Sequence, residues 1–209
     1  PSGWHTPLTA PTSGDKGTYH PEHTTVQSNT ATSGASAASL NTIYLLTSAE
    51  AMPGFVSLSE PTVTVGTYYI LSHSPSTLTF GNPITFRNSP DTIALDYQYQ
   101  ASNKVTGWRM QYIANGSAQV QFSEDFSTLT ANEWRTVNQP ISYSNGFVPA
   151  TLDIRISAAH TDNLSSFYVG ANGAQEKHRW TASMLIDNLQ LKYNSTLSGL
   201  LVNDAAATI

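Results

Sequence analysis

Thr92-Ile93-Ala94-Leu95-Asp96-Tyr97-Gln98-Tyr99-Gln100 places Ile93, Leu95, Tyr97 and Tyr99 on one face and Thr92, Asp96, Gln98 and Gln100 on the other. A period of two held over nine residues is that of a half-buried β-strand, because successive strand side chains point to opposite faces. The next stretch repeats it. Gly107 to Ile113 puts Trp108, Met110 and Tyr112 together, with Arg109 and Gln111 opposite. Asn115-Gly116 then supplies the two residues that a tight hairpin needs, and Ala118 to Phe122 is the returning strand.

The same rhythm spreads in both directions. Downstream, a strand runs near Trp134 to Val137, and Thr151 to Ser157 alternates again. The chain then closes on Ser183-Met184-Leu185-Ile186-Asp187-Asn188-Leu189-Gln190-Leu191-Lys192-Tyr193. Upstream, Ser39 to Thr47, Phe55 to Leu58, Thr62 to Leu71 (broken by Gly66) and Thr77 to Phe80 read as strands between turns such as Met52-Pro53-Gly54 and Gly81-Asn82-Pro83. No helical period is sustained beyond about two turns. The expected fold is therefore all-β: an antiparallel two-sheet β-sandwich of jelly-roll type, as one domain over residues 1–193. Residues 1–39, rich in Pro, Gly, Ser and Thr, are expected to be irregular with one or two edge strands, packed by Trp4 and Tyr19. Residues 194–209 read as a linker or the start of a following domain.

Composition narrows the class. Of 209 residues, 11% are charged, so Thr, Ser, Asn and Gln supply most of the polarity. Hydrophobic residues reach 39%, enough to set aside disorder. The net charge is −5 and no Lys/Arg cluster exists, so no nucleic-acid partner is expected. There is no cysteine, which excludes disulfides and thiolate zinc sites. No apolar run approaches the ~20 residues of a membrane helix. The chain starts abruptly at Pro1 and reads as a piece of a larger protein, so no membrane span is expected in it while flanking domains are.

Motifs for bond chemistry are thin. No Gly-x-Ser-x-Gly elbow appears. His20 and His23 flank Glu22, the tightest histidine cluster, and a solvated loop is the expected reading of it. Glycoside hydrolysis needs two carboxylates about 5 to 9.5 Å apart. Glu124-Asp125 is the only adjacent acid pair and reads as solvated; Asp96, Asp153 and Asp187 lie in strands and have the option of converging.

Three stretches resemble the PCMD family, a carbohydrate metabolism domain of secreted Bacteroidetes proteins. Asn88 to Tyr99 is similar to its "R-P-x-x-L-x-x-x-Y-K-Y" strand, Glu133 to Tyr143 to its "W-x-x-F-x-x-P-I-x-Y" stretch, and Ser183 to Leu189 to its "S-x-L-x-V-D-D-V" ending. Met52 to Leu58 fits as well, and the match spans roughly residues 40 to 193. Gln98 stands where the family has Lys, Asn188 where it has a second Asp, and the Arg-Pro pair is split into Arg87 and Pro90. The resemblance implies a galactose-binding-like jelly roll, secreted or attached to the outer-membrane surface, with residues 194–209 opening an immunoglobulin-like neighbour. Jelly-roll binding modules often resemble one another in holding a structural calcium between the closing strand and the N-terminal segment, and no other cofactor is expected. Asp187 is placed to supply an oxygen ligand there, and a cap or brace of the final turn by hydrogen bonds is the favoured reading of it.

Sugars are held by flat aromatic rings against their C–H faces, with amides and carboxylates on their hydroxyls. The candidate ligand-binding residues are Trp108, Arg109, Gln111, Tyr112, Trp134 and Trp180, with Asp96 as a further polar partner. Trp108 and Tyr112 share a face and are equally suited to the core. Trp180 ends the polar run from Gln175 to Arg179 and is expected at a loop rim. The favoured reading is a non-catalytic carbohydrate-binding or adhesion-type module with a polysaccharide or glycan partner. A glycoside hydrolase using paired acids and a structural spacer are the alternatives.

Overall fold

Ile93, Leu95, Tyr97 and Tyr99 turn inward together from β11 (Thr92–Gln100), and all four are buried. The computed structural model describes residues 3–7, 12–14, 25–45, 50–52, 54–65, 68–69, 72–73, 76–100, 107–158, 166–167 and 179–193. Around β11 lies the first large sheet. β14 (Trp134–Pro140) pairs on one side of it, and β17 (Arg179–Lys192), β3 (Ala37–Leu45) and β2 (Thr25–Ser28) follow on the other. β4 (Glu50–Met52) continues that edge along the far half of β3.

The second sheet faces it. β15 (Thr151–Ser157) carries β5 (Phe55–Ser57) and β10 (Ile84–Thr85) on one edge, then pairs with β12 (Gly107–Ala114), which pairs with β13 (Ser117–Asp125). From β3 onward the principal strands cross between sheets at every step except the β12–β13 hairpin: β3, β11, β14 and β17 belong to the first, β5, β12, β13 and β15 to the second. The spatial orders β3-β17-β11-β14 and β5-β15-β12-β13 are those of a jelly roll built from two Greek keys. A satellite sheet of β1 (Thr12–Gly14), β6 (Pro61–Val65), β9 (Ser76–Phe80) and β16 (Ser166–Phe167) is inserted mainly between β5 and β11. The Arg155 guanidinium, 3.8 Å from the Phe80 ring centroid, fastens it to β15. No helix among the described residues is long and apolar enough to cross a membrane.

Apolar faces decide how the sheets meet. Trp108, Met110 and Tyr112 of β12 and Leu152, Ile154 and Ile156 of β15 are fully buried against the inward face of β11 and Met184 of β17. Tyr97 and Trp108 meet at 4.7 Å between ring centroids, and Trp108 meets Phe122 at 5.2 Å. Truncating a tryptophan at such a position costs about 3–5 kcal/mol. The expected hairpin forms at Asn115-Gly116, with φ of 50° and 76°, the left-handed pair that a type I′ turn requires. Asn115 does more than turn the chain. Its Oδ1 accepts from the Ala150 and Thr151 N–H groups, tying the hairpin to the start of β15.

The closing strand is not a plain alternation. Ala94 pairs with Gln190 and Asp96 with Asp187, so Leu95 alone faces both Asn188 and Leu189. This is a β-bulge, and Asn188 adopts φ of 51° within it. The extra residue moves the inward set from Met184 and Ile186 to Leu189 and Leu191. Without it, Asn188 and Gln190 would face the core. Asn188→Val and Asn188→Gly both remove the side-chain bonds, but only valine carries a β-branch into left-handed space. Asn188→Val is expected to be about 1–2 kcal/mol less stable than Asn188→Gly in urea denaturation.

Candidate functional site

One cleft of about 510 Å³ opens between the two sheets at the edge formed by β2, β3 and β5. Its floor is apolar: Leu95, Ile186 and Leu189 from the first sheet, Val56 and Ile156 from the second. Its rim carries Trp4, Thr6, Gln27, Ser36, Asp187 and Asn188. An apolar floor, one large ring and a few polar groups is the usual make-up of a small-ligand site, and the volume lies within the common range.

Trp4 reaches the rim because the N-terminal segment is pinned. The His5 N–H donates to the Ser57 carbonyl at 2.8 Å, and the Ser57 N–H returns to the His5 carbonyl at 2.9 Å, adding a one-residue bridge to the edge of β5. The indole is half-buried, with part of its surface against the core. Across the cleft, the Thr25 hydroxyl donates to the Phe55 carbonyl and so ties β2 to β5. Gln27 Nε2 donates to Ser36 Oγ at 2.5 Å across the base of the loop that joins β2 to β3. An amide has two donors and an acceptor oxygen, so this bond leaves Gln27 with capacity toward a ligand.

That loop is held down by two carboxylates on neighbouring strands. Asp187 Oδ2 accepts from the Thr32 N–H (2.8 Å), the Thr32 hydroxyl (2.8 Å) and the Ser33 N–H (2.9 Å), while its Oδ1 accepts from the Asn188 N–H. Asp96 accepts from Thr136 Oγ1 at 2.5 Å and from Asn188 Nδ2 at 3.0 Å. The Thr32 hydroxyl also lies 3.1 Å from Asp96 Oδ2, so one proton stands between the two acids. Burial works to raise the Asp187 carboxyl, but the bonds from Ser33, Thr32 and Asn188 outweigh it and hold the group below its ordinary 3.8.

The residues expected to bind do not converge. Trp108 and Tyr112 are fully buried, and with no exposed face they act as core instead of platform. The Tyr112 hydroxyl meets that of Tyr143 at 2.9 Å, and burial pushes its pKa up. Arg109 and Gln111 point outward from the second sheet; Arg109 is buried there, and Gln111 donates to Gln121. Trp134 is half-buried opposite Gln98, on the outer face of the first sheet. Trp180 pairs with Ile43 in β17, and its side chain lies outside the described residues, as do His20, Glu22 and His23.

The acids also have occupations. Of the acid pair expected to be solvated, Asp125 is exposed, while Glu124 is half-buried, accepting from the Tyr97 hydroxyl at 2.6 Å and lying 3.4 Å from Trp108 Nε1. Desolvation first, and Glu124 second, push the Tyr97 pKa up. Asp153 is buried, accepting from the Ser59 N–H and from Arg155. Asp187 does not fit a calcium site, because N–H and O–H groups crowd the oxygens a cation would need. No group of three or more metal-ligating side chains exists among the described residues.

Sequence reasoning missed Trp4 as a rim residue and Thr32, Ser36 and Asn188 as builders of the cleft wall. A signal for Asn188 was present, since Ile186 and Leu189 break the alternation by one residue.

No family model matches the chain, and no curated protein sequence matches it either. Among solved structures, it is similar to a carbohydrate-binding module of type CBM28 specific for non-crystalline cellulose: 10% identity, TM-score 0.40, covering 91% of this chain and 87% of that one. It is similar to a mannan-recognising CBM27 module at 14% identity and TM-score 0.41, covering 90% and 87%. A cyclase from Fischerella sp. TAU reaches 11% identity and TM-score 0.38, covering 90% and 85%. Likeness at these scores carries no argument; the fold rests on the strand order.

The Asp187 brace should show in acid. A carboxylate whose native pKa is depressed stabilises the fold above its unfolded pKa and loses that contribution as pH falls through the native value. Wild type is therefore expected to lose more stability than Asp187→Asn between about pH 5 and about pH 2, measured by urea unfolding. Parallel curves would show that the brace contributes nothing.

Proposed function

We propose that this jelly roll is a non-catalytic carbohydrate-binding module and that the Trp4 cleft is where it holds its ligand. The observation that carries the reading is the half-buried Trp4 ring standing over a floor of aliphatic side chains, with neutral hydrogen-bonding groups at the same rim. A pyranose offers a C–H face to a ring and hydroxyls to amides and hydroxyls, and the rim supplies both. Gln27, Ser36 and Thr6 are the polar partners, and Trp4 is the platform. Membership of the PCMD family, an adhesion-type role on a secreted or surface-attached bacterial protein and flanking domains belong to the same proposal. The scarcity of charge and the glycan-like chemistry of the rim support that setting.

Hydrolysis is the second reading, because Asp96 and Asp187 share one hydroxyl and so approach each other closely. A general acid must keep a proton near neutral pH. Asp187 is held low, and both carboxylates are taken up as acceptors, which favours holding a sugar over cleaving it.

Titrating neutral oligosaccharides while following tryptophan emission tests the proposal. Trp4→Ala is expected to weaken binding at least about tenfold, comparable to losing one stacked ring. Trp134→Ala is expected to bind as wild type, since that ring lies on the opposite side of the first sheet. Trp4→Phe, which keeps a ring, should fall between, and thermal melts of all three variants separate lost binding from lost folding. Unchanged affinity in a folded Trp4→Ala would overturn the assignment. Release of reducing ends by wild type but not by Asp96→Asn would establish the hydrolase instead.

A further inference from the structure

We propose that Asn145 is a site of spontaneous modification by water: in the folded chain its amide cyclises onto the Gly146 nitrogen and reopens as aspartate and isoaspartate, while the fold protects the same dipeptide at Asn115-Gly116. The inference is independent of the glycan reading of the cleft. A third such pair, Asn172-Gly173, lies outside the described residues.

The backbone is equally open at both turns. Asn115, Gly116, Asn145 and Gly146 are all exposed, and Gly116 and Gly146 adopt nearly the same φ, 76° and 77°. With no Cβ, neither glycine shields its own nitrogen from an incoming carbonyl carbon. What differs is the asparagine side chain. Asn115 Oδ1 accepts from the Ala150 N–H at 2.7 Å and the Thr151 N–H at 3.1 Å, and its Nδ2 donates to the Val148 carbonyl at 3.0 Å. All three bonds hold the amide toward the start of β15, and swinging Cγ onto the Gly116 nitrogen breaks them. Asn145 makes no side-chain hydrogen bond among the described residues. Its turn is closed by the Phe147 N–H donating to the Ser144 carbonyl at 3.0 Å, a bond that does not use the Gly146 nitrogen. Amide and nitrogen are thus neighbours with nothing to break first, which is the condition for an intramolecular attack. Hydroxide takes the Gly146 N–H proton, the nitrogen bonds to Asn145 Cγ, and the Cγ–Nδ2 bond breaks as ammonia leaves with a proton from water. Water then opens the cyclic imide. Breaking the bond to Cγ gives aspartate, and breaking the bond to the backbone carbonyl carbon gives isoaspartate; nothing is oxidised or reduced. Isoaspartate adds a methylene to the main chain of the Ser144–Phe147 turn, next to the stacked Tyr143 and Phe147 rings.

The test ages the whole chain in mildly alkaline buffer, folded in one arm and unfolded in urea in the other. Peptide mapping by mass spectrometry then follows the conversion of amide to acid at each asparagine separately and resolves aspartate from isoaspartate. In the folded arm Asn145 is expected to convert at least about tenfold faster than Asn115, whose three bonds must open first. In urea those bonds are gone, and the two sites should convert at similar rates. Both products should appear at Asn145, with isoaspartate among them, and the rate should rise with pH because the Gly146 nitrogen must lose its proton. Asn145→Gln, whose longer side chain must close a larger ring, should suppress conversion at that position and leave Asn115 as it was. An Asn115 that keeps pace with Asn145 in the folded chain overturns the protection. An Asn145 that stays an amide in the folded chain while converting in urea overturns the site, and so does a failure of both to convert in urea.

Discussion

Where β17 passes Leu95, the chain carries one residue more than the partner strand can face. The rest of the end that carries the cleft depends on that mismatch. A strand buries every second side chain, and β17 must bury Ile186 and then Leu189, three positions on. Only an inserted residue reconciles the two, and the residue inserted must tolerate positive φ. Asparagine does so far better than a β-branched residue, and its side chain can serve a neighbour while the backbone turns. Asn188 does this by donating to Asp96 and accepting from Gln190. The kink also brings the Asp187 carboxylate to the loop after β2, where Thr32 and Ser33 present their N–H groups. A packing requirement in the core thus fixes a polar contact at the surface, and that contact fixes the cleft wall through Ser36.

The same economy governs the other acids. In a chain with so few charges, buried carboxylates are costly unless each meets donors of its own. Glu124 takes up the Tyr97 hydroxyl where that ring from the first sheet meets the Trp108 ring from the second. Asp153 takes up the Ser59 N–H and Arg155, whose guanidinium lies over the Phe80 ring and joins the satellite sheet to β15. Each carboxylate fastens one junction: sheet to sheet, satellite to sheet, loop to strand. Removing Asp153 would strand the buried Ser59 N–H at about 1–3 kcal/mol.

Much of the architecture was legible in the sequence, because sheet burial is written in parity. Thr92 to Gln100 and Thr151 to Ser157 form strands with the bounds their alternation predicts. Asn115-Gly116 turns as its left-handed preference requires. The strand expected over Thr62 to Leu71 ends instead at Val65, with Tyr68–Tyr69 in a separate pair, as the Gly66 break allows. The site was far less legible. Alternation tells which residues share a face but not whether that face looks in or out, and Trp108 and Tyr112 proved to look in. Trp134 sits on the opposite side of the first sheet from them, a relation that depends on how β14 pairs with β11. Trp4 had no local pattern to mark it, since its position comes from a bridge to Ser57, more than fifty residues away.

What remains at the rim after these structural duties sets the chemistry available to a ligand. Catalysis on a glycosidic bond requires one acid that gives up a proton and a second that stays ionised, so their environments must push their pKa values apart. Asp187 accepts from the Thr32 hydroxyl and from the Thr32, Ser33 and Asn188 N–H groups, and Asp96 from the Thr32 and Thr136 hydroxyls and the Asn188 amide. Donors of that kind hold the Asp187 carboxyl below its ordinary value and give it no reason to keep a proton near neutral pH. Neutral partners remain, in Gln27, Ser36 and the Trp4 ring. Such a rim is suited to holding an uncharged polyol without altering it, and the constraint that makes it so begins with one extra residue in the closing strand.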